Sequence, residues 1–323
     1  MSKIPVFVLS GFLGSGKTTL LERLLKESVD RNLKTAVLMN EIGKTDTDGR
    51  ILLGKSQMIE KLLDGCICCN KKSEVVQSME KLLRLKPDVI FIELTGVANP
   101  EEVADSLTEP ELINQVYLEK VITLIDAEHI LSYNSVFESD RELVRTTRRQ
   151  IEVADLLIVN KTDLVSESKK QKINKLLIKQ NPTSNISFST FSNIELASLF
   201  THLKSSSVRV KVRIKSPKQE GHHHEHTHNS YSKIKSITLP LSSTTNSLEI
   251  EKFLKKWKNN LLRAKGYLNL EDGTYLMQHV MKRVSWERST YNGDHYIVLI
   301  GMDLNEDEIN KEWGSLVQKA STF

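Results

Sequence analysis

The chain has 323 residues, 39% of them hydrophobic and 27% charged, with a formal net charge of +4. That length allows two domains and a substantial core, and so mild a charge demands no nucleic-acid partner. No apolar run approaches a membrane span, and the N-terminus lacks the apolar segment of a secretory signal; a cytoplasmic protein without membrane or nucleic-acid partners is expected.

The first predicted element is a buried strand, Val6–Leu9. The run Gly11-Phe12-Leu13-Gly14-Ser15-Gly16-Lys17-Thr18-Thr19 follows it, and a helix over Thr18–Glu27 follows that, with Leu20, Leu21, Leu24 and Leu25 at helical spacing. Gly11, Gly16, Lys17 and Thr18 satisfy G-x-x-x-x-G-K-[ST], the phosphate-binding loop of nucleotide hydrolases. Glycines let the backbone curl and aim its N–H groups at phosphates, where side chains would block the approach. Gly14 and Ser15 belong to the same loop. Lys17 would place a charge on the β and γ phosphates, the Thr18 hydroxyl would ligate Mg²⁺, and the helix that carries Thr19 turns its positive end to the phosphates.

Further strands are predicted over Thr35–Met39, Val89–Glu93, Val121–Ile125, Leu156–Val159 and, weakly, Ile186–Ser189, with helices over Glu74–Leu83, Arg141–Val153 and Glu167–Lys179. The alternation predicts an α/β fold, a P-loop NTPase domain with a mainly parallel sheet and its functional residues at the C-terminal ends of the strands. After the second strand, Asn40-Glu41-Ile42-Gly43-Lys44-Thr45-Asp46-Thr47-Asp48-Gly49 stands where a first switch loop would. Its carboxylates suit Mg²⁺, the attacking water or a second metal. Gly65-Cys66-Ile67-Cys68-Cys69 comes next. The chain has three cysteines, all inside this stretch, which excludes a structural disulfide framework. Thiolates at Cys-x-Cys spacing are soft ligands for Zn²⁺ or Cu(I), and three sulfurs leave one tetrahedral position open, which suits transfer; buried inert cysteines or a redox pair are the competing readings.

Glu93, at the tip of its strand, is placed to hold Mg²⁺, and the Gly96 N–H to sense the γ-phosphate. Asn160-Lys161-Thr162-Asp163 follows the strand Leu156–Val159. A carboxylate there accepts from the N1–H and exocyclic amine of guanine, a donor pair that adenine lacks, so GTP and GDP are expected over adenine nucleotides.

Beyond Leu203 the texture changes. Residues 208–215 alternate apolar and basic side chains, a half-buried strand with a solvated basic face. His222, His223, His224, His226 and His228 then crowd a polar stretch, read as a loop that captures metal transiently, with a solvated linker as the plainer alternative. From Ile234 a small α+β domain is expected, with strands at Ile237–Pro240, Gly273–Gln278 and His295–Ile300, a helix over Leu248–Leu261 and a closing helix over Asn305–Val317. Trp257, Trp286 and Trp313 are read as packing residues, and this domain shows no catalytic constellation. The boundaries are 1–204 for the P-loop domain, 205–232 for the linker with its His-rich loop and 233–323 for the C-terminal domain.

Taken together, the stretches 11–19, 40–43, 65–69, 93–96 and 160–163, with the His-rich linker and a C-terminal domain of this size, resemble the CobW-like P-loop GTPases, relatives of the UreG and HypB maturation factors. The resemblance spans nearly the whole chain, and the Cys-x-Cys-Cys motif is its specific element. It implies a GTPase that binds Zn²⁺ through Cys66, Cys68 and Cys69 and delivers it to a client metalloprotein, as a monomer or weak homodimer. It departs from the pattern at Lys44, where relatives often carry a second Glu, so that role is absent or moved to Asp46 or Asp48, and Glu41 is carried over alone. No Gln or Arg marks the water-positioning role, which predicts slow intrinsic turnover. A non-catalytic metal buffer or sensor that responds to GTP is the alternative. A small-molecule kinase leaves both the cysteines and Asn160–Asp163 unexplained.

Overall fold

A computed structural model describes residues 3–39, 57–61, 72–135, 137, 139–203, 234–280 and 283–320. Seven of its strands form one parallel sheet: β1 (Ile4–Ser10), β2 (Thr35–Met39), β3 (Gln57–Lys61), β4 (Val89–Glu93), β5 (Val116–Asp126), β6 (Leu156–Asn160) and β7 (Asn185–Phe188). Their spatial order is β3-β2-β4-β1-β5-β6-β7, so β1 lies at the centre with β4 and β5 as its parallel neighbours. Helices α1 (Lys17–Asp30), α2 (Lys72–Arg84), α3 (Pro100–Ser106), α4 (Ile130–Tyr133), α5 (Arg141–Glu152) and α6 (Glu167–Gln180) make the connections.

The apolar strands bury both faces, and their alternation sorts them into two cores. Val6 and Val8 of β1, with Ile90 and Ile92 of β4, pack against Val75, Met79 and Leu82 of α2 and Val103 of α3. Phe7 and Leu9, with Val37 and Phe91, face Leu20, Leu21, Leu24 and Leu25 of α1. Burying each such side chain contributes about 1.5–3 kcal/mol, so the strand that launches the glycine-rich loop is clamped from both sides.

A second, antiparallel sheet has the order β11-β10-β9-β12-β8, from β8 (Ile234–Pro240), β9 (Leu261–Leu270), β10 (Gly273–Val280), β11 (Arg283–Arg288) and β12 (Tyr296–Met302). One face packs on α7 (Ser247–Lys256) and α8 (Glu306–Ala320) through Ile237, Leu239, Ile297, Leu299, Ile250 and Phe253. The other joins the first core through Ile234, Val298 and Ile300. On that face Arg263 reaches Asp105 at 3.1 Å and Glu102 at 3.5 Å, and Lys265 holds both oxygens of Glu109 at 2.5 and 2.6 Å. Trp313 is buried, and Trp257 and Trp286 pack against the same core, as expected.

The expected fold class holds, with local corrections. The helix over Leu248–Leu261 stops at Lys256, because Leu261 opens β9. The tetrapeptide Trp257–Asn260 turns the chain without Gly or Pro, and its stop signal is the weaker one of Asn259-Asn260 after Lys255 and Lys256. Strands β3, β9 and β11 and the short helices α3 and α4 were not predicted; β3, Gln-Met-Ile-Glu-Lys, is too polar to read as a strand. The basic strand read at 208–215 and the His-rich loop lie outside the described residues.

Candidate functional site

The central strand β1 ends at Ser10, and the chain turns at once through the glycine-rich loop into α1. Gly11, Gly14 and Gly16 all have positive φ, at 125°, 74° and 104°. A Cβ on Gly11 would stand 2.2 Å from the Leu124 carbonyl oxygen, and one on Gly16 would stand 2.4 Å from Asn160 Nδ2. Both the backbone twist and the space therefore require glycine there. No side chain caps the start of α1 and no acidic residue stands in its first turn. Its leading N–H groups and positive dipole end are left for an anion. The Ser15 hydroxyl, buried in the same loop, has no hydrogen-bond partner among the described residues. The loop has the make-up of a phosphate cradle.

Lys17 is buried and folds its ammonium back onto the loop, donating to the carbonyls of Gly11 at 2.8 Å and Phe12 at 3.2 Å. Thr18 donates its hydroxyl to Glu93 Oε1 at 2.8 Å, which brings the start of α1 to the tip of β4. A hydroxyl and a carboxylate are hard oxygen donors, the set that suits Mg²⁺. Gly96 follows two residues after Leu94, and a Cβ there would stand 2.5 Å from the Leu13 backbone nitrogen, so the loop after β4 touches the cradle directly.

The loop after β6 completes the arrangement. Asn160, 3% exposed, donates from Nδ2 to the Ser15 carbonyl at 2.9 Å. Its Oδ1 accepts from the Ser192 N–H at 2.8 Å and the Ser189 hydroxyl at 3.2 Å. One side chain thus joins the cradle, the loop after β6 and the loop after β7. Lys161 has φ of 61°, and its ammonium pairs with Asp126 Oδ2 at 2.7 Å. Asp163 lies exposed in a short 3-10 turn, Thr162–Leu164.

Sequence reasoning missed four contributors. Asp126 ends β5 and holds Lys161; burial pushes its carboxyl up, but hydrogen bonds from Lys161, the Glu128 N–H and His129 outweigh that and hold it below the usual range. The rule applied to Glu93, an acid at a strand tip, would have found it. Gln150, buried on α5, donates to the carbonyls of Gly96 at 3.1 Å and Ala98 at 3.0 Å and so pins the loop after β4. Ser189 and Ser192 follow β7, which was read only weakly and as running through Ser189, and no local signal marks them.

Among the described residues, Asp126, Glu128 and His129 bring three potential metal-ligating atoms within 4.8 Å of one another, but Asp126 is already committed to Lys161. Cys66, Cys68, Cys69, Glu41 and the histidines at 222, 223, 224, 226 and 228 fall outside the described residues. No helix among the described residues is long and apolar enough to cross a membrane.

Comparison with known proteins gives four findings. Residues 5–188 match the CobW/HypB/UreG nucleotide-binding domain and residues 234–317 the C-terminal domain of the cobalamin synthesis protein cobW. The zinc chaperone YjiA of Escherichia coli is 30% identical over 332 residues, a match covering 98% of this chain and 99% of that protein. The zinc-regulated GTPase metalloprotein activator 1 of Schizosaccharomyces pombe is 34% identical over 205 residues, covering 60% of this chain and 48% of that longer protein, so the shared part is about half of it. The crystal structure of the Zn(II)-bound YjiA GTPase from E. coli aligns over 98% of this chain and 99% of that chain at 25% identity, with a TM-score of 0.49.

Proposed function

The chain belongs to the CobW/HypB/UreG family, and from that premise we propose that it is a GTP-hydrolysing metallochaperone. It binds Zn²⁺ through Cys66, Cys68 and Cys69 and hands the ion to a client metalloprotein in the cytoplasm. The observation that carries the reading is the Asn160 side chain, which ties the phosphate cradle at Ser15 to the segment that ends in Asp163. A cradle and a base-reading carboxylate fixed to each other can take one nucleotide at both ends.

In this reading the N–H groups of Gly14, Ser15, Gly16, Lys17, Thr18 and Thr19 surround the phosphates, and Lys17 leaves the Gly11 and Phe12 carbonyls for the β and γ oxygens. Thr18 and Glu93 hold Mg²⁺, which when bound neutralises charge on the phosphate oxygens. Asp163 accepts from the guanine edge, and Lys161, anchored by Asp126, lays its stem beside the base. A water attacks the γ-phosphorus in line, the bond to the β–γ bridging oxygen breaks, and GDP and inorganic phosphate leave. Gly96, held by Gln150, loses its γ-phosphate contact and the loop before α3 relaxes, which releases metal or client. The five histidines load metal, and residues 233–323 recognise the client, joined to a P-loop domain of residues 1–204 by the linker 205–232. Zn²⁺ as cargo is supported by the name of the full-length relative YjiA.

The test is steady-state phosphate release from GTP with Mg²⁺. Wild type is expected to turn over many equivalents slowly, and Lys17→Ala to release none. Wild type that binds GTP but never releases more than one equivalent is a GTP-responsive buffer or sensor, and the hydrolysis claim is then wrong.

A further inference from the structure

The loop Ser189-Thr190-Phe191-Ser192 is laced to the site on both sides of Phe191. Before it, the Thr162 N–H donates to the Ser189 carbonyl at 3.1 Å, and the Thr162 and Thr190 hydroxyls lie 3.2 Å apart. After it, Ser192 donates its N–H to Asn160 and its hydroxyl to the Gly16 carbonyl at 3.2 Å. Phe191 is therefore fixed where the segment 160–163 meets the cradle. Its φ is 53° and that of Ser192 is 52°. Left-handed backbone is uncommon for any non-glycine residue and a true outlier for a bulky one. Strain of this kind persists where surrounding bonds over-determine it, and it clusters at ligand sites. The ring itself is 76% exposed, while Phe200 further along the chain is buried in the core. A lone exposed aromatic is ordinary; one held in a strained backbone at the junction of cradle and base-reading loop is not.

We propose that Phe191 is an aromatic platform on which the purine base of the bound nucleotide stacks. The assignment rests on the guanine-nucleotide reading above and adds a face contact to the edge contact of Asp163. Every base offers a π-face, so stacking supplies affinity, while the choice of guanine stays with the carboxylate.

The experiment compares GDP affinity by calorimetry for wild type, Phe191→Ala, Phe191→Leu and Phe191→Trp, with nucleotide-free thermal unfolding as a check on the fold. Removing a stacked ring should weaken GDP binding roughly tenfold. Leucine, apolar but without a π-face, should not restore it, whereas tryptophan should, with its fluorescence quenched on GDP addition. Alanine or leucine within twofold of wild type overturns the platform. Wild type that binds no GDP overturns the guanine reading, and the platform falls with it; that result is distinct from normal wild-type binding with a silent Phe191→Ala.

Discussion

Replacing Asn160 by Asp changes one group and keeps the shape. The oxygen that accepts from Ser192 and Ser189 remains, but the amide that donates to the Ser15 carbonyl at 2.9 Å becomes a second acceptor. With the side chain 3% exposed, water cannot stand in for the lost donor. The lost hydrogen bond costs about 1–3 kcal/mol, and an ionised carboxylate left buried against a carbonyl raises the total to about 3–5 kcal/mol. The new carboxyl can escape most of that by keeping its proton, which restores a donor to Ser15. Its folded pKa is therefore raised above the unfolded value near ~3.9. A group raised on folding contributes stability that is fully present below the unfolded pKa and is lost as pH rises through the folded one. Urea unfolding of nucleotide-free protein from pH 5 to pH 8 should show Asn160→Asp weaker than wild type by only about 1.5 kcal/mol at the acid end, where the unfolded carboxyl has already begun to ionise, and by several kcal/mol at pH 8. Asn160→Ala, with no proton to hold, should be weaker by a nearly constant amount. A gap for Asn160→Asp that stays flat with pH, or below about 1 kcal/mol at pH 8, would show that the joint between Asn160 and Ser15 does not exist.

Two further outcomes follow from the same coordinates. Lys265→Met removes two charge-assisted hydrogen bonds to Glu109 between the sheets, each side chain being about a tenth exposed; a loss of about 3 kcal/mol in chemical unfolding is expected, and a double-mutant cycle with Glu109→Gln should return most of it as coupling. His279 is buried, with no partner at Nδ1 among the described residues, and burial lowers its pKa below the ordinary 6.5. The unfolded chain then takes up the proton first, so stability should fall as pH drops from 6.5 through the folded pKa, by up to roughly 1.4 kcal/mol per pH unit. His279→Leu should flatten that slope in acid unfolding curves, and an unchanged slope would assign it elsewhere.

The sequence was most legible where chemistry and chain order coincide. The cradle, Glu93 and Asn160–Asp163 each sit just past an apolar strand, so a motif and its structural context could be read from one window. The parallel sheet followed from the same alternation, because strands buried on both faces are continuous apolar runs. What escaped depends on contacts between distant segments. The motif marked Asn160 for nucleotide binding, but nothing local showed that its amide also bonds Ser15, Ser189 and Ser192 across 145, 29 and 32 residues. Gln150 looked like one more polar residue on a charged helix, yet it sits on the buried face beside Ile151. Likewise Arg263 and Lys265 gave β9 a polar texture that hid a strand, because their partners stand on the other sheet.

The most direct test of a nucleotide-gated metal carrier is Zn²⁺ affinity by competition with a chelating dye, measured with GDP and with GTP and Mg²⁺. It should be run on wild type and on the variant with Cys66, Cys68 and Cys69 all changed to Ala. The account predicts that GTP shifts the affinity of wild type and that the triple variant loses the shift. An affinity in wild type that ignores the nucleotide would contradict it, because a carrier whose cargo does not sense GTP cannot be gated by its hydrolysis.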